Sequence, residues 1–381
     1  MKKLVLILVL AAGLLPVALS CRKSGSAGPA EGVAGTRSGL ITTRYAQGFK
    51  VSYTEDGCLL DIQDPLREES ESFHFFLVPH GSSAAVPAGY RRVEVPVERV
   101  VCMTSLQLSN FICLEELDHV VGVTSTRHLF NPEMKQRLAD GRTQKIGIEG
   151  NFDSEVILGI NPDVILISPF KRGGYEALRG VDIPLIPHLG YQEMTPLGQA
   201  EWIKFVGLLT GEEEKANATF DAIERRYSDL KALTADVAER PVVLSGELHG
   251  GNWYVGGGRS FLAQIFRDAG GEYFLPEDTN SGGLNLDFET VYSQTAHARY
   301  WRIVNSYAGK FSYDALKAED ARYADLYAFQ HKGVVYCNMR EKPFYESMPV
   351  QPDVVLADLI HIFHPELLPE DYQPVFYELL Q

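Results

Sequence analysis

Basic residues are scarce in this chain. Thirty-five lysines and arginines stand against 50 aspartates and glutamates over 381 residues, a formal net charge of −15. No dense basic patch offsets that balance, which argues against nucleic acid as a partner. Cysteine is scarce too, with five in all. Cys58, Cys102, Cys113 and Cys337 fit no zinc-ligand spacing, and a chain this long does not need a disulfide framework. Cys102 and Cys113 lie in apolar runs and read as buried thiols. The apolar run Leu4 to Leu19, broken by Gly13 and Pro16, is marginal beside the roughly 20 residues of a membrane-spanning helix. Catalytic signatures are missing as well: there is no G-x-S-x-G elbow, no H-E-x-x-H and no supported Cys/His pairing. The GGGRS stretch at 256–260 lacks the Gly-Lys-Ser/Thr ending of a phosphate loop, and Ser260 suits a helix N-cap. His361 and His364 share a helix face, but Pro365 follows and no carboxylate partner is near. No metal site, catalytic residue or cofactor is therefore expected.

What is present begins at the amino terminus. Lys2 and Lys3 precede the apolar run, and small residues lead into Cys21, the arrangement of an export signal over 1–20. The ending Ala-Leu-Ser-Cys resembles a bacterial lipobox, with Ala18 where leucine is commoner. That resemblance implies that Cys21 is the acylated first residue of the mature protein, anchored in the cell envelope and facing the periplasm. Residues 21–39 are rich in Gly, Ser and Ala with no apolar periodicity, the composition of a flexible tether.

The segment 40–96 reads as a β-rich extension. FKVSY, CLLDI and FHFFLV alternate or run apolar, and Asp56-Gly57 between the first two is a hairpin signal. Over 97–209 strands alternate with helices. Strands are expected at 99–103, 120–123, 145–148, 163–167 and 184–187. Helices are expected at Leu106 to Leu117, Pro132 to Ala139 capped by Asn131, Ser154 to Gly159 capped by Asp153, Tyr175 to Arg179, and Pro196 to Leu209. The alternation argues for a parallel α/β sheet. A second alternation fills 241–381, with strands at 242–245, 253–255, 300–304 and 333–337. Its helices are expected at 261–269, Asp287 to Ser293, Tyr323 to Phe329, and Asp353 to Phe363.

Between the halves, Ala216, Phe220, Ile223, Tyr227, Leu230, Thr234 and Val237 recur in steps of four and three, one apolar stripe along a helix over 210–240. The expected fold is therefore two parallel-sheet α/β lobes joined by one long helix, with an N-terminal β-rich extension. An internal echo supports two related lobes. Phe152-Asp153-Ser154-Glu155-Val156-Ile157 precedes the strand ILISPF, and Leu286-Asp287-Phe288-Glu289-Thr290-Val291 precedes RIVNSY. Each glutamate lies two residues after a capping aspartate, where a carboxylate stabilises the helix start by about 0.3–1 kcal/mol. An exposed carboxylate in each lobe is also a docking point for a partner's basic residues.

The ordered set VPVERVVCMTS, VVGV, IGIEGNFDSEVILGINPDVILISPF, a long helix, GGNWYVGGGRSFLAQIFRDAGG and LDFETV resembles the iron-complex and cobalamin substrate-binding lipoproteins of bacterial ABC importers. The resemblance covers roughly 96 to 366. It implies a non-enzymatic, monomeric receptor that works with an ABC permease and its ATPase. A ferric siderophore would be its first ligand, with cobalamin or haem as alternatives. It also implies that Glu155 and Glu289 meet permease arginines; the second stretch departs after Glu289, lacking the Pro-Asp of the first. In open α/β sheets ligands bind beyond the carboxyl ends of the strands. That nominates Thr104, Ser105, Thr126, Arg127, Pro169, Phe170 and Tyr191 in the first lobe. In the second it nominates Glu247, Trp253, Tyr254, Asn305, Tyr307, Met339 and Arg340. A secreted hydrolase or chelatase of α/β type is the alternative from another class.

Overall fold

The structure is a computed structural model and describes residues 39–67, 69, 71–124, 128–148, 150–169, 178 and 182–381. The signal and tether, Cys21, and most of the helix expected at Tyr175 to Arg179 lie outside the described residues. The extension forms a four-stranded sheet in sequence order: β1 (Phe49–Tyr53), β2 (Cys58–Ile62), β3 (Phe73–Pro79) and β4 (Arg91–Val95). The first three run antiparallel and β4 pairs parallel to β3. Asp56-Gly57 does turn the first hairpin, with Tyr53 opposite Cys58.

The first lobe contains β5 (Val100–Cys102), α1 (Ser105–Cys113), β6 (Val120–Val123), α2 (Pro132–Ala139), β7 (Gln144–Lys145), β8 (Gly147–Ile148), β9 (Asn151–Phe152), α3 (Ser154–Gly159), β10 (Val164–Ile167) and β11 (Leu185–Pro187). Its sheet runs β11-β10-β5-β6-β7, parallel throughout. Asn131 and Asp153 cap α2 and α3 by accepting backbone N–H groups, as their side chains predict. The single strand expected at 145–148 is split. Gly147 takes a φ of +94°, where a Cβ would strike the Asn151 carbonyl, so the chain leaves the main sheet and turns into the β8–β9 hairpin.

Two helices follow: α4 (Pro196–Thr210) and α5 (Glu213–Leu233). Gly211, at φ +79°, closes α4 in the left-handed conformation that glycine adopts most cheaply, so the 210–240 stripe begins with a break. At about 1.5 Å per residue α5 spans roughly 31 Å. Ala216, Phe220, Ile223 and Tyr227 bury its apolar face, while Thr234 ends the helix by bonding back to Lys231. The ends of α5 are tied to different lobes. Lys215 lies 3.5 Å from Glu116, whereas Lys231 lies 2.9 Å from Asp268 and Tyr227 donates to that same carboxylate at 2.7 Å. Every residue of α4 is buried, so this helix lies inside the molecule and α5 runs along its surface.

The second lobe contains β12 (Val242–Ser245), β13 (Leu248–His249), β14 (Asn252–Gly256), α6 (Phe261–Asp268), β15 (Glu272–Tyr273), β16 (Gly283–Leu286), α7 (Phe288–Gln294), β17 (Tyr300–Asn305), α8 (Tyr313–Glu319), α9 (Tyr327–Gln330), β18 (Val334–Asn338), α10 (Phe344–Ser347), α11 (Pro352–Phe363) and β19 (Glu378–Leu379). Its main sheet runs β15-β12-β17-β18-β19, parallel except for the edge strand β19. The strand expected at 253–255 forms, but in a separate antiparallel sheet β13-β14-β16. Alternation alone does not say which sheet a strand joins.

Candidate functional site

Each main sheet reverses its strand order once. In the first lobe the reversal falls between β5 and β10, and in the second between β12 and β17. Such switch points open a crevice beyond the carboxyl ends of the two strands. A side-chain hydrogen bond bridges both crevices. Gln107 Nε2 donates to Ser168 Oγ at 3.3 Å in the first lobe, and Asn305 Nδ2 donates to Glu247 Oε1 at 3.0 Å in the second.

Around the second switch point the polar groups form a connected set. Asn305 Oδ1 accepts from the Tyr336 hydroxyl at 3.0 Å and from the Tyr307 backbone N–H at 3.2 Å. The Tyr323 hydroxyl accepts from the Leu248 N–H at 2.8 Å. Glu247, Asn305, Tyr307, Tyr323, His249 and Glu319 line one cavity of about 650 Å³. Glu247 is only 8% exposed. Burial pushes its carboxyl from 4.5 up to about 7, and the Asn305 bond opposes this only in part. Burial also raises Glu319, with His249 acting against it, and pushes the Tyr323 hydroxyl up to about 12.

The structure brings Glu247, Asn305 and Tyr307 onto that single wall. Arg340 sits at the rim, exposed, with Nε donating to the Ser306 carbonyl at 2.8 Å. Met339 follows β18, half-buried on the core. Trp253 is elsewhere. It is fully buried, donates to the Ser245 carbonyl at 2.9 Å and packs on Trp301 and Tyr323, which leaves it no surface to offer a ligand. Tyr254 points to the other face of β14 and is 56% exposed.

In the first lobe Thr104 caps α1 in a reciprocal box with Gln107, beside half-buried Ser105. Pro169 follows β10, and Tyr191 lies half-buried in the turn Gly190–Gln192. Thr126, Arg127 and Phe170 lie outside the described residues. Past them the chain reaches the second lobe. His128 Nε2 stands 3.2 Å from Ser306 Oγ, and buried Glu346 accepts the backbone N–H groups of Phe130 and Asn131 at 3.0 Å. These cross-lobe contacts, and Tyr323 and Glu319 on the cavity wall, escape sequence reading because they join residues far apart in the chain. Tyr323 was expected merely as the first residue of a helix.

Glu155 and Glu289 are both exposed in first turns, after Asp153 and Asp287 as N-caps. Each has an exposed large apolar residue three positions on, Leu158 at 50% and Tyr292 at 44%. His361 and His364 diverge: His364 lies against the Gly270 carbonyl at 3.1 Å, and His361 beside the Tyr372 ring. Cys58, Cys102, Cys113 and Cys337 are all free thiols. Burial raises those of Cys113 and Cys337 to about 11 and about 12, which makes them poor nucleophiles.

Comparison with known proteins follows the same outline. An uncharacterized lipoprotein of Methanocaldococcus jannaschii, MJ0878, is 23% identical over 300 residues, spanning 76% of this chain and 70% of its own. The fold is similar to a periplasmic heme binding protein from Pseudomonas aeruginosa. Their TM-score is 0.59 at 19% identity, covering 75% of this chain and 98% of that one. It is similar also to a protein of an ABC-type Fe3+-hydroxamate transport system from Saccharomonospora viridis. There the TM-score is 0.56 at 18% identity, covering 71% and 94%. The family of periplasmic binding proteins, the substrate-binding components of ABC importers, matches residues 100–340, well over half of the chain, and this protein belongs to that family.

Proposed function

We propose that this protein is a lipid-anchored receptor that captures a metal chelate between its two lobes and delivers it to an ABC permease. A ferric siderophore is the first ligand of this reading, and cobalamin or haem would fill the same role. The observation that carries it is the placement of Glu247, Asn305 and Tyr307 on one cavity at the second-lobe switch point. The cross-lobe contacts of His128 and Glu346 support a cleft that both lobes border. Lipid attachment at Cys21 is supported by the signal-like sequence before it and by the lipoprotein relative. In this reading 97–209 and 241–381 are the lobes, 210–240 connects them, and Glu155 and Glu289 dock on permease arginines.

The mechanism is binding, modest closure and docking, with no bond made or broken. The test is the visible absorption spectrum of protein purified from cells, followed by titration with a ferric siderophore, cobalamin and haem, three chelates that differ in colour. Stoichiometric binding of one of them without turnover is expected. Failure to bind all three, or turnover of a chelate abolished by one point change, would overturn the reading.

A further inference from the structure

We infer that the second-lobe end of the cleft receives a positively charged nitrogen of the ligand, an ammonium or amidinium group, held by the Glu247 carboxylate. The inference rests on the receptor reading above and specifies the ligand's charge on that side. Three observations lead to it.

Glu247 is more than nine-tenths buried and yet lines the cavity. Its Oε1 accepts from Asn305, while its other oxygen has no hydrogen-bond or ion-pair partner among the described residues. Among the described residues, the rest of the cavity's ionisable lining is Glu319, Asp320, His249 and the two phenols Tyr307 and Tyr323, with no lysine or arginine. Among the described residues no nearby guanidinium bonds to Glu247. Arg302 Nε donates to the Tyr377 hydroxyl at 2.9 Å, Arg322 pairs with Asp320 at 2.7 Å, and Arg340 Nε holds the Ser306 carbonyl.

A carboxylate on the ligand placed against this wall would meet the Glu247 and Glu319 carboxyls, a repulsive arrangement that selects against it. A cationic nitrogen would supply the counter-charge that a buried carboxylate otherwise lacks. Burial and Glu319 hold the Glu247 carboxyl up at about 7, opposed by Asn305 and by the more distant Arg302. The group is thus about half ionised near neutrality in the free protein. Tyr336, on the next strand, shares the Asn305 amide with it and also feels the Glu247 charge. A bound cation favours the ionised form, so binding releases a proton and tightens as pH rises.

Calorimetry on the full chain with three ferric chelates tests this: ferrioxamine B, which carries an ammonium; ferrichrome, which is neutral; and ferric enterobactin, which is polyanionic. Ferrioxamine B should bind more tightly than enterobactin, and more tightly at about pH 8 than at about pH 6. Glu247→Gln should weaken ferrioxamine B roughly thirtyfold or more and flatten its pH profile, a larger loss than it causes for ferrichrome. Preference for the anionic chelate, or unchanged ferrioxamine affinity in a folded Glu247→Gln protein, overturns the inference alone. Should the variant fail to fold, the unmodified protein decides. Titrations in buffers of different ionisation heat must show proton release with ferrioxamine B, and its absence refutes the assignment. If no chelate binds at all, the receptor reading falls and this inference with it.

Discussion

Lys204 and Glu201 stand one turn apart on α4, Nζ 2.7 Å from Oε1, with side chains 3% and 0% exposed. Neither is there for the helix. Glu201 accepts the backbone N–H groups of Arg44, Tyr45 and Ala46 at 2.9, 2.7 and 2.8 Å, and Lys204 donates to the Thr42 carbonyl at 2.9 Å. Three positions before α4 begins, Glu193 does the same for Gln47 and Gly48. Buried carboxylates thus sew the β-rich extension to the central helix through backbone groups, while the Arg44 and Tyr45 side chains bond Glu224 of α5.

Removing one member of that pair leaves the other charged and unpaired inside the protein. Glu201→Ala should lower unfolding stability by about 3–5 kcal/mol and expose 39–48 to protease. A urea midpoint within error of the unmodified protein would show that the pair is dispensable.

The Glu247 carboxyl gives stability a pH signature. Its folded value of about 7 lies above the ordinary glutamate value of 4.5, so between those two the folded state holds a proton that the unfolded chain has lost. Stability from this group therefore falls as pH rises through that window, a cost of roughly 3 kcal/mol that is complete above it. Glu247→Gln removes the cost. Melting temperatures of variant and parent should nearly coincide near pH 4.5 and diverge in the variant's favour near pH 8. Parallel curves would refute the assignment.

Neighbours on β14 should behave in opposite ways. Trp253→Ala empties a fully buried site and should cost about 3–5 kcal/mol. Tyr254→Ala, on the exposed face, should stay within about 0.5 kcal/mol. Thermal melts of the two variants, compared side by side, check this contrast.

The proposed docking should be separable from capture. Glu155→Ala with Glu289→Ala should leave chelate affinity unchanged and reduce uptake roughly tenfold or more, because exposed rim charges act on encounter with a partner. Normal uptake by that double variant would remove the docking role.

Closure should be small. α5 is anchored at both ends, and Glu346 ties the second lobe to Phe130 and Asn131 of the first. Glu346→Ala should speed chelate release without changing the melting temperature by more than a few degrees. A free and bound crystal pair related by a wide hinge rotation about 213–233 would contradict a stiff link.

The sequence by itself determined the local elements and their order. Capping aspartates and asparagines, strands of Val and Ile, and the stripe from Ala216 to Tyr227 all act within a few residues, and the corresponding strands and helices are where those signals put them. The echo around Glu155 and Glu289 disclosed the repeated lobe for the same reason. Tertiary structure alone decided the rest. Which sheet Trp253 joins, whether it faces a ligand or the core, and how Glu201 reaches Arg44 depend on contacts spanning many tens of residues. The Glu247–Asn305 pair is the clearest case, since its two members are 58 positions apart. No periodicity records that distance; only the strand order that places β12 beside β17 brings the carboxyl and the amide together, and burial there then sets the carboxyl's proton affinity.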